Sequence, residues 1–194
     1  MTPVVVAGVV AGVLAGCGAT KTVTVTQTVT STVTKTTTTT VPAAVTACRG
    51  GDLSGGFTEV AGSAGAGSIT YALTLTNTSS AACYVSGIPQ LQLLDTHGGA
   101  LPTTVSAAAP GQATAAKIVL QPGDSAKADA RFSPDVPGPG EPQTEASAGK
   151  PQPCEPTAHE LQVTVGGGTV TVSVSPPTPV CSHGALRMSL LAGA

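Results

Sequence analysis

The sequence predicts an all-β domain, an immunoglobulin-like antiparallel β-sandwich of about seven or eight strands, behind a signal peptide and an extended Thr-rich linker. Three observations predict it. Short apolar segments alternate with polar residues at period two, as half-buried strands do. Gly and Pro, 24 and 16 residues, punctuate these segments, and no amphipathic helical pattern stands between them. Finally, Cys48, Cys83, Cys154 and Cys181 form an even set, suited to two disulfides outside the cytoplasm once Cys17 is otherwise engaged.

Residues 1–16 read as a lipoprotein signal peptide. Val4 to Leu14 is an unbroken run of Val, Ala, Gly and Leu, too short for a spanning helix of about 20 residues but suited to the apolar core of a secretory signal. It ends in Leu14-Ala15-Gly16-Cys17, a bacterial lipobox, with Cys17 as the lipidation site. Acyl chains stabilise membrane attachment by about 0.8 kcal/mol per buried methylene, so two or more give a firm anchor. No Lys or Arg precedes Lys21, although signal peptides open on positive charge, which makes Met1 a weaker landmark than the cleavage site.

Residues 17–47 then carry the lipidated Cys and the spacer. Every even position from Thr20 to Thr40 is Thr, with Val, Lys, Gln, Ser or Thr between. A single strand of that length would be unusual, and no partner strand is evident nearby. The expectation is a stiff, β-branched, extended tether ended by Pro42, reaching roughly 100 Å at about 3.3 Å per residue. Its composition also allows O-glycosylation.

Residues 48–194 form the domain, a normal size for one core. Ile69, Tyr71, Leu73 and Leu75 alternate with Thr, and Ala126, Ala128, Ala130 and Phe132 with charged residues, giving two half-buried strands. Leu161, Val163 and Val165 pair with Val170, Val172 and Val174 across Gly166-Gly167-Gly168, a hairpin whose glycines supply the positive φ its turn needs. Leu91 with Leu93, Ile118 to Leu120, and Leu186, Met188 and Leu190 mark further strands, with Pro122-Gly123 as a turn. Four cysteines allow three connectivities. Out-and-back units bracketed by Cys48–Cys83 and by Cys154–Cys181 favour those pairings. Ser133 to Pro153 is a long Pro/Gly-rich loop, and its composition favours disorder.

The residues also carry a resemblance. Cys48, then Asn77-Thr78-Ser79, Cys83-Tyr84-Val85-Ser86-Gly87-Ile88-Pro89, Leu93-Leu94-Asp95, Gly98 and Leu120-Gln121-Pro122-Gly123 followed by Ala126 resemble the actinobacterial secreted and lipoprotein family catalogued as domain of unknown function 4232. The resemblance covers most of Cys48 to Leu191. Ile88 replaces the family's common aromatic before Pro89, and Phe132 stands where Trp is common. The family implies a secreted or lipid-anchored β module and no activity.

Charge and motif exclude more than they assign. The chain has net charge -2, both spacer lysines lie outside the domain, and aromatics are scarce, so nucleic-acid binding is disfavoured. Ser147-Ala148-Gly149-Lys150 matches a Ser-x-x-Lys pattern, but it lies in the Pro-rich loop, where no helix places Lys one turn from Ser. Asp95 and His97 fall in an evident turn, and His159, His183 and Met188 are scattered. No metal or cofactor site is assigned, because the soft-ligand cluster that Cu(I) prefers is missing. Asn77 is formally a glycosylation sequon but reads better as a strand-ending Asn bonding nearby backbone.

The expected function is a non-enzymatic, lipid-anchored, extracytoplasmic binding or interaction module. Its partners would be the plasma membrane through the lipid, and cell-wall glycan, another envelope protein or a small solute through the domain. Recognition would fall to loops such as Leu53 to Gly67 or Ser133 to Pro153. A metal carrier using His97, His159 or His183 is one alternative. A cell-wall hydrolase assembled from scattered residues is another.

Overall fold

The computed structural model describes residues 20–29, 33–42, 44–111, 116–142 and 153–194. The lipobox and Ser147–Lys150 lie outside them. The chain divides into two units, Met1–Val45 and Thr46–Ala194.

The first unit departs from the expected single tether. Strands β1 (Thr20–Val29) and β2 (Val33–Pro42) pair antiparallel over their whole lengths, from Thr20 opposite Pro42 to Val29 opposite Val33. The partner strand that the tract lacks elsewhere is its own second half. Even positions stand opposite even positions, so Thr22, Thr24, Thr26 and Thr28 face Thr40, Thr38, Thr36 and Thr34. Each ten-residue arm measures about 33 Å, but folding back sets Thr20 beside Pro42, so the ends of the tract are only about 5 Å apart and the expected long reach is lost.

The second unit is nearly all β. Its elements are β3 (Thr46–Ala47), β4 (Leu53–Glu59), β5 (Ile69–Asn77), β6 (Cys83–Val85), β7 (Gln90–Leu94), β8 (Thr104–Ala107), β9 (Ile118–Leu120), β10 (Ser125–Phe132), β11 (Thr157–Val165), β12 (Gly168–Pro179), β13 (Ala185–Met188) and β14 (Ala192–Gly193). A nine-stranded sheet runs β7-β11-β12-β4-β5-β10-β13-β8, with β14 also on β10. A small sheet β3-β6-β9 accompanies it. The large sheet curls into a sandwich that approaches a barrel. Most pairings are antiparallel as expected, but β12/β4, β13/β8 and β3/β6 are parallel.

The period-two strands form as read. Along β5 the inward residues Ile69, Tyr71, Leu73 and Leu75 are buried, and along β10 so are Ala126, Ala128, Ala130 and Phe132. Val165 pairs with Gly168 in the β11–β12 hairpin. Its turn residues Gly166 and Gly167 both have positive φ, 52° and 84°, as a two-residue type I′ turn demands. Strand β4 is a correction, because Leu53 to Gly67 was expected to be loop. Leu53 and Phe57 are buried, but Gly55-Gly56 between them erases the alternation. Gly55 is needed there: a Cβ would sit 2.0 Å from the Thr74 carbonyl oxygen.

The core closes on three rings from adjacent strands. Tyr71 lies 5.1 Å from Phe57 and 5.2 Å from Phe132, centroid to centroid, within the range for favourable tilted pairs. The Tyr71 hydroxyl donates to the Pro176 carbonyl at 2.9 Å, so its one polar atom is satisfied. Leu73, Leu161, Val163, Leu186 and Met188 belong to the same core and are fully buried, each contributing about 1.5–3 kcal/mol.

Both favoured disulfides are present. Cys48–Cys83 has a Cα separation of 4.9 Å and ties the start of the domain to β6, and Cys154–Cys181 has one of 5.6 Å. They fit an extracytoplasmic protein. Among the described residues no helix is long and apolar enough to cross a membrane.

Asn77 ends β5 as a buried polar hub. Its Nδ2 donates to the carbonyls of Ala81 at 2.8 Å and Leu120 at 3.0 Å. Its Oδ1 accepts from the Ser79 amide at 3.0 Å and the Ser79 hydroxyl at 2.8 Å. The side chain is wholly buried, so the sequon is structural. Replacing Asn77 by Ala removes the side-chain partner of the buried Leu120 carbonyl and should cost about 1–3 kcal/mol in urea unfolding. Exposed Thr78→Ala should stay within about 0.5 kcal/mol. Equal stability of the two variants would remove Asn77 from this role.

Candidate functional site

Register brings together residues that are distant in sequence. On the outer face, Arg131 of β10 stands directly opposite Arg187 of β13. Like charges in that position repel, and among the described residues no carboxylate lies within 4.0 Å of either guanidinium. Arg131 instead sets both Nε and Nη2 on one hydroxyl, Ser68 Oγ, at 3.0 and 2.7 Å. The pair borders a groove of about 470 Å³ whose walls include Ala66, Ser68, Ser133 and Ser182. Ala66 and Ser133 belong to the two segments expected to carry recognition. The groove is therefore a polar, cationic hollow on an acidic protein.

A second cluster lies on the other side of the same turn. The four-residue helical turn Cys181–Gly184 contains two left-handed residues, Ser182 (φ 61°) and His183 (φ 57°). Left-handed geometry costs a non-glycine residue roughly 1–2 kcal/mol. It also aims successive N–H groups at one point, a natural anion cradle. Glu141 fills it. Its Oε2 accepts from the Gly138 amide at 2.6 Å and the Ser182 amide at 2.8 Å, and its Oε1 accepts from the His183 amide.

Burial of Glu141 would raise its pKa, but the three backbone donors win and bring it from 4.5 down to about 2. Glu155 moves the other way. Burial, then the hydrogen bond and charge of neighbouring Glu141, push its pKa above the usual value. His183 Nδ1 faces both carboxylates, 3.7 Å from Glu141 Oε1 and 3.5 Å from Glu155 Oε1.

The long loop therefore needs correcting. Residues 133–142 are a pinned strap, held by Glu141 and by the Cys181 amide donating to Ser133 O at 2.9 Å; composition hid this because one buried carboxylate carries the order. Residues 143–152 lie outside the described residues.

The three histidines are not gathered. His97 sits exposed in the Asp95 turn, where the amides of His97 and Gly99 each donate to Asp95 Oδ1 at 2.7 Å and lower the Asp95 pKa. His159 lies on β11, half-buried, next to Glu160, which pairs with Leu94. Among the described residues, sets of three metal-capable donors occur only around Glu141, and one of the two includes His183. Cys154 and Cys181 also border Glu141 but are spent on their disulfide. The hydroxyl–imidazole bond found among the described residues, Thr96 to His97 at 3.1 Å, stands on an exposed turn rather than in a pocket. Met188 is wholly buried core.

Another cleft, of about 310 Å³, is lined by Tyr84, Ile88, Pro89 and Thr164 among others and contains no charged side chain. Sequence reasoning missed Arg131 with Arg187, and Glu141 with Glu155. Only strand register and the disulfide unite them.

A family model described as Domain of unknown function (DUF4232) matches residues 48–191, the span over which the resemblance was read. No curated protein and no solved structure matches the chain.

Glu141 has a definite stability signature. A depressed carboxylate stabilises the fold fully above its unfolded pKa and loses that contribution as pH falls through its folded pKa. The window here runs from 4.5 down to about 2. In an E155Q background and metal-free buffer, E141Q should lower stability by about 1–3 kcal/mol at pH 7. The gap to the parent should close as the pH falls through that window. A gap that is absent at pH 7, or constant with pH, would contradict the cradle.

Proposed function

Because the chain belongs to the family described as Domain of unknown function (DUF4232), a description that carries no activity, we propose its function from the site itself: a non-enzymatic, lipid-anchored binding module on the extracytoplasmic face of the plasma membrane. Its groove takes an anionic group, a phosphodiester or carboxylate such as envelope polymers and envelope proteins carry.

One observation carries the recognition part: Arg131 and Arg187 stand side by side without a carboxylate partner among the described residues. Two planar forks bordering one hollow match a bidentate oxyanion, and binding one would relieve their mutual repulsion. Hydroxyls of Ser68, Ser133 and Ser182 line the same walls and add neutral hydrogen-bonding capacity. The anchoring part rests on Leu14-Ala15-Gly16-Cys17, and two disulfides agree with that side of the membrane. The Thr tract, its ends brought together by the pairing of Thr20 with Pro42, then joins anchor and domain as a hairpin rather than as a long standoff.

Two measurements test this reading. Substituting Cys17→Ala should move the protein from membranes into the medium, or leave an unprocessed precursor. Identical fractionation and mass for variant and parent would end the anchor. For the groove, the mature protein should bind an anionic cell-wall polymer with an affinity that falls as salt rises. R131Q/R187Q should weaken that binding by about tenfold or more, the scale of one lost charge-assisted pair. Binding that is unchanged by the double substitution, or equally strong to a neutral polymer, would refute the groove.

A further inference from the structure

We propose that Glu141, Glu155 and His183 form a binding site for a divalent transition-metal ion of the zinc class, fastened by the Cys154–Cys181 disulfide. This inference does not rest on the anion-binding reading of the groove.

The disulfide assembles the donors. Glu155 directly follows Cys154, and His183 lies two residues after Cys181, so the bridge brings their backbones to one place. The strap supplies Glu141. One donor atom from each of the three lies within 4.8 Å of the others.

The orientation of the imidazole is the second observation. His183 Nε2 lies 3.4 Å from the Pro139 carbonyl oxygen. Nε2 is thus turned toward a backbone carbonyl, which leaves Nδ1 on the side of the two carboxylates. That is the outer partner metal-binding histidines have, a backbone carbonyl on the nitrogen away from the ion. Nδ1 faces Glu141 Oε1 and Glu155 Oε1 at 3.7 and 3.5 Å. Three metal-capable donor atoms thus converge on one point. The separations exceed hydrogen-bond length. They suit the edges of a tetrahedral site, roughly 3.3–3.6 Å for bonds of about 2.0–2.2 Å.

Selectivity follows from the donor set. One imidazole with two carboxylates suits zinc and its neighbours, whereas calcium and magnesium prefer all-oxygen shells of six or more ligands. The His183 side chain is 61% exposed while that of Glu141 is 1% exposed, so the ion has a rigid floor and an entry from solvent, with a fourth position for water. Glu141 is preset by three backbone amides, and ligand-orienting contacts of this kind typically matter by about 10–100-fold in affinity. Bound metal would join the strap, the Cys154 segment and the Cys181 turn at one point.

Untagged mature protein, stripped with chelator and titrated with zinc chloride by calorimetry, should bind one equivalent. H183A and E155Q should each weaken binding by at least about tenfold, and calcium or magnesium should bind at least as much more weakly. In the unsubstituted protein, zinc should shift the His183 ring resonances and leave those of His97 and His159 in place. That spectrum decides the matter even if a variant misfolds. No saturable zinc binding, binding that survives both substitutions in folded protein, or shifts at His97 and His159 with His183 unmoved would each overturn the site.

Discussion

Asn77 is the joint on which the two sheets depend. It ends the central strand β5, and its amide is the partner of backbone carbonyls at Ala81 and on β9 at Leu120. Its own backbone N–H donates to Asp124 O at 2.9 Å, and its carbonyl accepts from Gly123 at 2.8 Å. One residue thereby sets the turn into β10, the loop into β6 and the position of β9. A hydrocarbon there would strip the buried Leu120 carbonyl of its side-chain partner, at a cost of about 1–3 kcal/mol. The Cys48–Cys83 bridge acts on the same small sheet and constrains the unfolded chain rather than the folded contacts. The two devices are complementary: the disulfide limits where β6 can go, and Asn77 holds the loop that leads from β5 into β6 and the β9 carbonyl beside it.

Glu141 does the corresponding work on the Cys181–Gly184 turn, with charge in place of a neutral amide. Asn77 can both donate and accept, so it joins carbonyls and amides alike. A carboxylate only accepts, and the backbone around it must therefore turn its N–H groups inward. That is what the left-handed pair Ser182 and His183 accomplishes. The chemical character of each hub fixes the backbone conformation beside it. This explains why the neutral hub sits at an ordinary strand end while the anionic hub needs a strained turn.

Much of this was legible in order of sequence locality. Strands β5 and β10 announce themselves by alternation, and the β11–β12 hairpin by its glycines, because each signal is contained within a few residues. Both disulfides followed from out-and-back topology. Strand β4 was hidden because Gly55 removes a side chain where the Thr74 carbonyl approaches, and a missing side chain removes the pattern too. The tract's pairing was hidden because an alternating sequence reads alike as one long strand or as two. The Arg131–Arg187 pair was hidden because 131 and 187 become neighbours only through the register of β10 on β13. Glu141 was hidden by company: in a Pro- and Gly-rich stretch a single buried acid has no periodic partner to mark it.

The groove and the carboxylate cluster share one short piece of backbone, and that sharing has a consequence. Ser182 lines the groove beside Arg131 and Arg187, and the next residue, His183, faces Glu141 and Glu155. Both keep left-handed φ values that cost non-glycine residues roughly 1–2 kcal/mol each. Gly184 continues the same bend with φ 70°, and a Cβ there would fall 1.8 Å from the Pro102 carbonyl oxygen, so the turn has no room to relax toward that side. What offsets the strain is the carboxylate that accepts the Ser182 and His183 amides. Neutralising Glu141 would therefore weaken what holds Ser182, a residue of the groove wall, while the Cys154–Cys181 bridge still fastens the turn. The cationic hollow shares Ser182 with the turn that Glu141 holds, so on the proposed reading an acidic residue in an unpromising loop also supports the anion-binding face.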